Sequence, residues 1–149
     1  MPIESRYFIK AGLAWLLLAF LAGATLLVSK ALGYHLAGTF AIQHAHFAGV
    51  GWLVNMVIGV AFWMFPLDRE RFPSTRGRYP RAASHAIFGL LNGGLILRTT
   101  IEPVFDLGHT SPLVAGLLAI AAIAQVGAIG LFVLVIWSRV RGPARPSPE

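Results

Sequence analysis

Five histidines, six carboxylates and no cysteine are the residues with which this chain could bind a metal or move a proton. Two of the histidines, His44 and His46, stand at the head of the apolar stretch HAHFAGVGWLVNMVIGVAFWMFP, residues 44–66. On a regular helix each residue advances 100°, so imidazoles two positions apart point about 200° apart. They cannot chelate one ion as an i, i+4 pair does. Each must address its own neighbour. His44 shares a face with Ala48, Gly51 and Asn55, a small-residue stripe with room for something flat or for another helix. His46 looks along Val50, Leu53, Val57 and Met64, an apolar wall. A neutral imidazole in an apolar slot beside a small-residue groove is what axial ligation of haem requires.

Other ionisable residues gather near the same end. His35 and His109 fall in or beside the connections 31–40 and 103–111, Arg98 and Glu102 close the third apolar run, and Asp106 follows in the connection. Arg98 and Glu102 form an i, i+4 pair and could simply neutralise each other. His85 lies at the opposite end of that run, as a helix-start residue in polar surroundings or as a ligand there. His35 and His109 could equally be plain interfacial hydrogen-bonders. Asn55, Asn92 and Gln125 fall near the middle of their runs and read as interhelical hydrogen-bonders rather than an ion path.

The elements that must position these residues follow from composition. The chain has 149 residues, 56% hydrophobic and 12% charged, with mean hydropathy +0.71, which a water-soluble domain of this size would not tolerate. Crossing about 30 Å of hydrocarbon takes roughly 20 helical residues, and four runs meet that length: about 8–30, 41–65, 82–102 and 112–137. The expected fold is all-α, one integral membrane domain over 1–149: a four-helix bundle running up-down-up-down, because the connections are short. The first run is read as a retained helix, since no small-x-small cleavage site with a soluble domain follows it. The tail 141–149, RGPARPSPE, is too polar and proline-rich to fold and is expected to be disordered. Without cysteine there are no disulfides, iron–sulfur clusters or covalent haem attachment.

The net charge of +6 is a topology signal. Ten of the 12 Lys and Arg residues lie before the first run, between the second and third, or after the fourth: Arg6, Lys10, Arg69, Arg71, Arg76, Arg78, Arg81, Arg139, Arg141 and Arg145. The positive-inside rule then places both termini and the 67–81 loop in the cytoplasm, as in a bacterial inner membrane. A headgroup-facing loop accounts for this charge, and nucleic acid is not an expected partner. Pro66 with Pro80 and Pro103 with Pro112 bracket the connections. Trp15, Trp52, Trp63 and Trp137 fit an interfacial aromatic belt. Gly89 and Gly93 make a G-x-x-x-G, with Gly116, Ala124, Gly127 and Ala128 on the fourth run, so small residues could pack helices within one chain or between copies of a homo-oligomer, a dimer or trimer.

Residues 44–66 resemble the tenth transmembrane helix of subunit I of the haem-copper oxidases and nitric-oxide reductases. That helix opens with His-x-His and an aromatic, carries a glycine fifteen positions after the first histidine and closes on an aromatic-rich Phe-Pro. The matching positions are His44, His46, Phe47, Gly59, Trp63, Phe65 and Pro66, without a gap. The resemblance implies that His44 and His46 each bind a haem, one on either face of the helix, and that Arg98 holds a haem propionate. LLNGGLILRTTIEP, residues 90–103, looks like segments of small membrane proteins related to these oxidases. The family's copper-binding histidine helices are missing, as is its twelve-helix size, so a complete copper site is not visible and copper is an unlikely cofactor.

The sequence therefore predicts a small b-type haem protein, binding haem b non-covalently for electron transfer or for a diatomic gas, O2 or NO. His44 and His46 are the axial candidates, with His109, His85 and His35 as possible mates and a quinol or cytochrome as redox partner. The rivals are a haem-free scaffold or accessory subunit of a respiratory complex, and a metal or proton conduit using His35, His44, His46, Glu102 and Asp106.

Overall fold

The computed structural model describes residues 1–36, 38–66, 69, 72–75, 77 and 80–140. Arg71, Arg76 and Arg78 of the basic connection, Tyr79, and the tail 141–149 lie outside the described residues. All regular structure described is helical. Four long helices dominate: α1 (Ile3–Ala31), α2 (Gly38–Met64), α3 (Arg81–Asp106) and α4 (Pro112–Ile136). Short 3-10 turns occupy Pro73–Thr75 and Trp137–Arg139.

Three helices, α1, α2 and α4, are long and apolar enough to cross a membrane. The expectation of four such spans is corrected at α3. It is long enough, but Arg81, His85, Asn92, Arg98, Glu102 and Asp106 lower its apolar character. It turns Ser84 and Asn92 inward together with Ile87, Leu91 and Leu95. Asn92 and Glu102 are met by side chains of α1 and α2, and Ser84 donates to Arg81 O of its own helix.

Helix ends follow local chemistry. α1 and α3 begin directly after Pro2 and Pro80, and α4 has Pro112 in its first turn behind Ser111, whose hydroxyl accepts from the Val114 N–H at 3.4 Å. α1 stops at Gly33, φ +78°, where the Tyr34 N–H donates to Ser29 O at 2.8 Å. α3 stops the same way at Gly108, φ +93°, with the His109 N–H donating to Val104 O at 3.3 Å. Only a residue without Cβ takes that left-handed turn cheaply. Pro103, expected to end α3, instead lies inside its last turn. It costs one main-chain bond where the helix is about to stop, and the Leu107 N–H still donates to Pro103 O at 3.1 Å.

α1 packs along the length of α2, and α3 along α4. Inside a bilayer apolar burial drives little, so close approach of small residues does the work. A Cβ on Gly51 would come within 2.7 Å of Trp15, one on Gly59 within 2.9 Å of Ile9, and one on Gly94 within 3.0 Å of Ala121 O. Gly89 and Gly93, singled out by their motif, face open space, as do Gly116 and Gly127; Gly94 is the glycine that seats α4. The two pairs meet over Phe8, Phe62, Ile87 and Leu91, with the Phe8–Phe62 and Phe62–Phe132 rings edge to face at 5.6 and 5.8 Å. Each such aromatic pair contributes about 1 kcal/mol beyond its area.

Arg139 is a further correction. Its charge suggested a headgroup-facing residue, yet it is buried. Its Nη1 donates to Pro66 O at 3.2 Å and its Nη2 to Gly77 O at 2.9 Å, with Phe72 under the guanidinium at 5.7 Å. The arginine staples the segment after α4 to the segment after α2.

Candidate functional site at the head of α2

His44 and His46 both lie in the first three turns of α2, before its winding changes. Residues Phe47–Val54 form a π-helix, in which main-chain bonds reach five residues and each residue advances less than in an α-helix. Faces drawn at a constant 100° per residue therefore hold from His44 to Ala48 and drift beyond. His44, Ala48 and Trp52 face α1; Gly51 lies under Trp15 of α1; Asn55 reaches α3. On the other face, Val50 and Val54 look toward α4 while Leu53 and Val57 stay on the surface, so the expected continuous wall from His46 divides.

The His44 imidazole is half-buried between the two helices. Its Nδ1 is 2.9 Å from Ala19 O on α1. A carbonyl only accepts, so Nδ1 carries the proton and Nε2 is the lone-pair nitrogen. Gly23 makes room one turn further on: a Cβ there would meet Cε1 of the ring at 3.0 Å. Beside the ring runs an apolar groove of about 380 Å³ lined by Leu16, Phe20, Gly23, Leu27, Ala48 and Trp52. His46 is half-buried too, and its Nδ1 lies 2.8 Å from Ile42 O of its own helix. The same logic leaves Nε2 as its lone pair. Both rings are therefore locked by a main-chain carbonyl in the tautomer used by metal-ligating histidines. The His44 ring is held against α1, and the His46 ring is held by its own helix.

The donor chemistry fits haem; the enclosure fits only in part. The small-residue stripe below His44 is filled by α1, with Trp15 over Gly51 and Met56 within 3.1 Å of a Cβ on Gly12. Of the two occupants the stripe could admit, the other helix takes most of it. What remains open is the groove beside His44. Among the described residues no three or more of His, Cys, Asp and Glu gather closely enough to hold a metal ion, so His35, His44, His46, Glu102 and Asp106 do not form one cluster.

The neighbouring polar groups are brought together between α2 and α3. Arg98 Nη2 and Glu102 Oε1 are 3.2 Å apart, Gln43 Nε2 donates to Glu102 Oε2 at 3.2 Å, and Thr39 Oγ1 donates to Asp106 Oδ2 at 2.6 Å. Arg98, expected to hold a propionate, is engaged with Glu102. Gln43 is buried, and neither it nor Thr39 was singled out by the sequence; their positions one and two turns around α2 opposite the α3 carboxylates were the available signal.

His109 and His35 are on the surface just past the ends of α3 and α1. His85 is on the surface at the other end of α3, its ring 5.7 Å from Tyr7. None is brought to His44 or His46 by a contact within the chain. Nearer the middle, Asn55 and Asn92 exchange amide bonds at 3.0 and 3.1 Å, and Trp15 Nε1 donates to Asn92 Oδ1 at 2.9 Å. The asparagines are interhelical hydrogen-bonders, as expected. Trp15 is not a belt residue: it stacks on Phe47 at 5.4 Å and joins the network from α1. Gln125 departs from its expected role, since its amide has no hydrogen bond among the described residues and Nε2 is buried. Compared with known protein families, characterised proteins and solved structures, the chain matches none.

Proposed function

We propose that this chain is a multi-pass membrane protein that binds haem b through Nε2 of His44 and of His46, for electron transfer or for binding a diatomic gas, O2 or NO. One observation supports the reading: both imidazoles donate Nδ1–H to a main-chain carbonyl, Ala19 O and Ile42 O, which leaves Nε2 of the neutral ring available as a ligand atom. Bound there, haem iron would supply reversible one-electron chemistry or an open coordination position. The chain's own residues orient the rings, and the apolar groove beside His44 excludes water. The likeness of residues 44–66 to the haem-binding helix of the haem-copper oxidases agrees with this pair of ligands. Because α1 fills most of the stripe, the open side of either imidazole is completed by a second copy in a dimer or trimer, to which Gly89 and Gly93 offer an uncovered face. His109 and His35, on the surface at the same end of the bundle, are the residues a second copy could bring as sixth ligand, whereas His85 lies at the other end of α3.

The up-down-up-down arrangement with both termini cytoplasmic is part of the same proposal. It is supported by Arg81 at the start of α3 lying 3.9 Å from Glu4 at the start of α1, and by Arg139 after α4 bonding to Pro66 after α2. Basic residues concentrate at that end.

A second reading, a haem-free accessory subunit, is favoured by the same seam: Trp15 over Gly51 and the His44 ring against Gly23 are interhelical packing that needs no cofactor. Replacing His44 and His46 singly by alanine separates the two. The haem reading expects each change to alter haem occupancy or the absorption spectrum of the purified protein; two unaltered spectra would reject these ligands, and protein without haem in all forms favours the accessory role.

A further inference from the structure

α4 rests on α3 and touches α2 through Phe132, but it stands off α2 at mid-length. The gap is a crevice of about 480 Å³ between the π-helical part of α2 and α4, lined by Val50, Val54, Leu91, Gln125, Ile129 and Gly130. Gln125 is the polar residue among them. Its side chain lies against Gly94 of α3, where a Cβ would meet Cγ at 3.1 Å, and it also lines the crevice. The amide finds no partner among the described residues, and its Nε2 is buried. The other mid-bundle amides behave differently: Asn55 and Asn92 bond to each other and to main-chain carbonyls. An amide buried in apolar surroundings without an acceptor is strongly disfavoured.

We propose that this crevice binds an apolar molecule dissolved in the bilayer whose single polar group is a carbonyl accepting from the Gln125 amide. The terminal torsion of glutamine is a broad two-fold rotor, so Nε2 turns into the crevice without backbone motion. Depth selects the ligand class. Gln125 lies eleven residues from the end of α4 at Ile136 and thirteen from its start at Pro112, which at 1.5 Å per residue is about 17–20 Å from either end. Glycerolipid ester carbonyls sit near the hydrocarbon boundary, about 15 Å from the midplane of a 30 Å core, and do not reach it. The occupant is a molecule free to lie at mid-depth, with its carbonyl on a chain or on a ring. This site is separate from the histidines and stands whether or not they bind haem.

The test uses the full chain in phosphatidylcholine nanodiscs with three probes of similar length: dodecane, 2-dodecanone carrying a 13C carbonyl, and 2-decyl-1,4-benzoquinone. The expected result is saturable binding of the ketone, the quinone or both, with a down-shifted carbonyl stretch in the infrared, and no comparable binding of dodecane. Preference between the two carbonyl probes identifies chain or ring as the source. Gln125→Leu should weaken carbonyl binding about tenfold, one charge-free hydrogen bond's worth, while leaving the ligand-free protein at least as heat-stable. Gly130→Leu, which fills a position where a Cβ meets nothing, should block both carbonyl probes and keeps the test decisive if Gln125→Leu does not fold. Equal binding of dodecane and ketone, unchanged binding in Gln125→Leu, or no binding of either carbonyl probe by the folded wild-type chain overturns the proposal.

Discussion

The Asn55–Asn92 pair is where the bundle's polar glue can be measured. Asn92→Ala removes three cross-helix bonds: one from Trp15 Nε1 and two exchanged with Asn55. At the average of about 0.6 kcal/mol measured for such bonds in a bilayer, the loss is about 2 kcal/mol, and at the upper value of about 1.7 it is near 5. Asn55→Ala removes only the two exchanged bonds, about 1.2 kcal/mol on the same scale. Because those two are shared, the double variant should cost about what Asn92→Ala costs alone, not the sum of about 3 kcal/mol. Reversible unfolding in mixed micelles, followed by tryptophan fluorescence, gives all four corners of the cycle. A red shift of Trp15 emission should accompany Asn92→Ala alone and in the double. Strictly additive losses would refute the network as the link between α1, α2 and α3.

Gly51→Ala should destabilise by about 1–3 kcal/mol by overpacking against Trp15, read as a lower midpoint in the same micelle titration, whereas Gly89→Ala, with open space around its Cβ, should change the monomer's midpoint by less than about 0.5 kcal/mol. Gly23→Leu should push the His44 ring off Ala19 O, so that haem content falls while the helical circular-dichroism signal is kept. Arg139→Gln should loosen the segment after Pro66, seen as faster protease cleavage between residues 66 and 80 with α1 and α2 still protected.

Much of this architecture was legible in the chain. The apolar runs located four helices to within a few residues, because their lengths and flanking prolines are set by simple geometry. α1 was placed about five residues late, since Ile3–Tyr7 continue the helix with the buried Glu4 and Ser5 on its inner face. The expected opposite orientation of His44 and His46 rests on a constant helical period, and both residues precede the π-helical turn. That turn was not readable: the run Phe47–Val54 has the same composition as an ordinary apolar helix. What fills the small-residue stripe below His44 was likewise invisible, as small residues invite a flat ligand or a helix, and the structure puts Trp15 of α1 against Gly51 there. Charge misled at Arg139 for a related reason. A basic residue at a helix end reads as headgroup-facing unless main-chain carbonyls from distant segments converge on it, and Pro66 and Gly77 are far away in sequence.

His44 and His46 of α2 are the proposed haem ligands. The most direct measurement is haem content and optical spectrum, oxidised and reduced, of the full chain purified in detergent after expression with ample haem supply. The expected result is a Soret band, stoichiometric non-covalent haem extractable into acidic acetone, and a reduced spectrum of the b type. Folded, haem-free protein with no Soret band would contradict it.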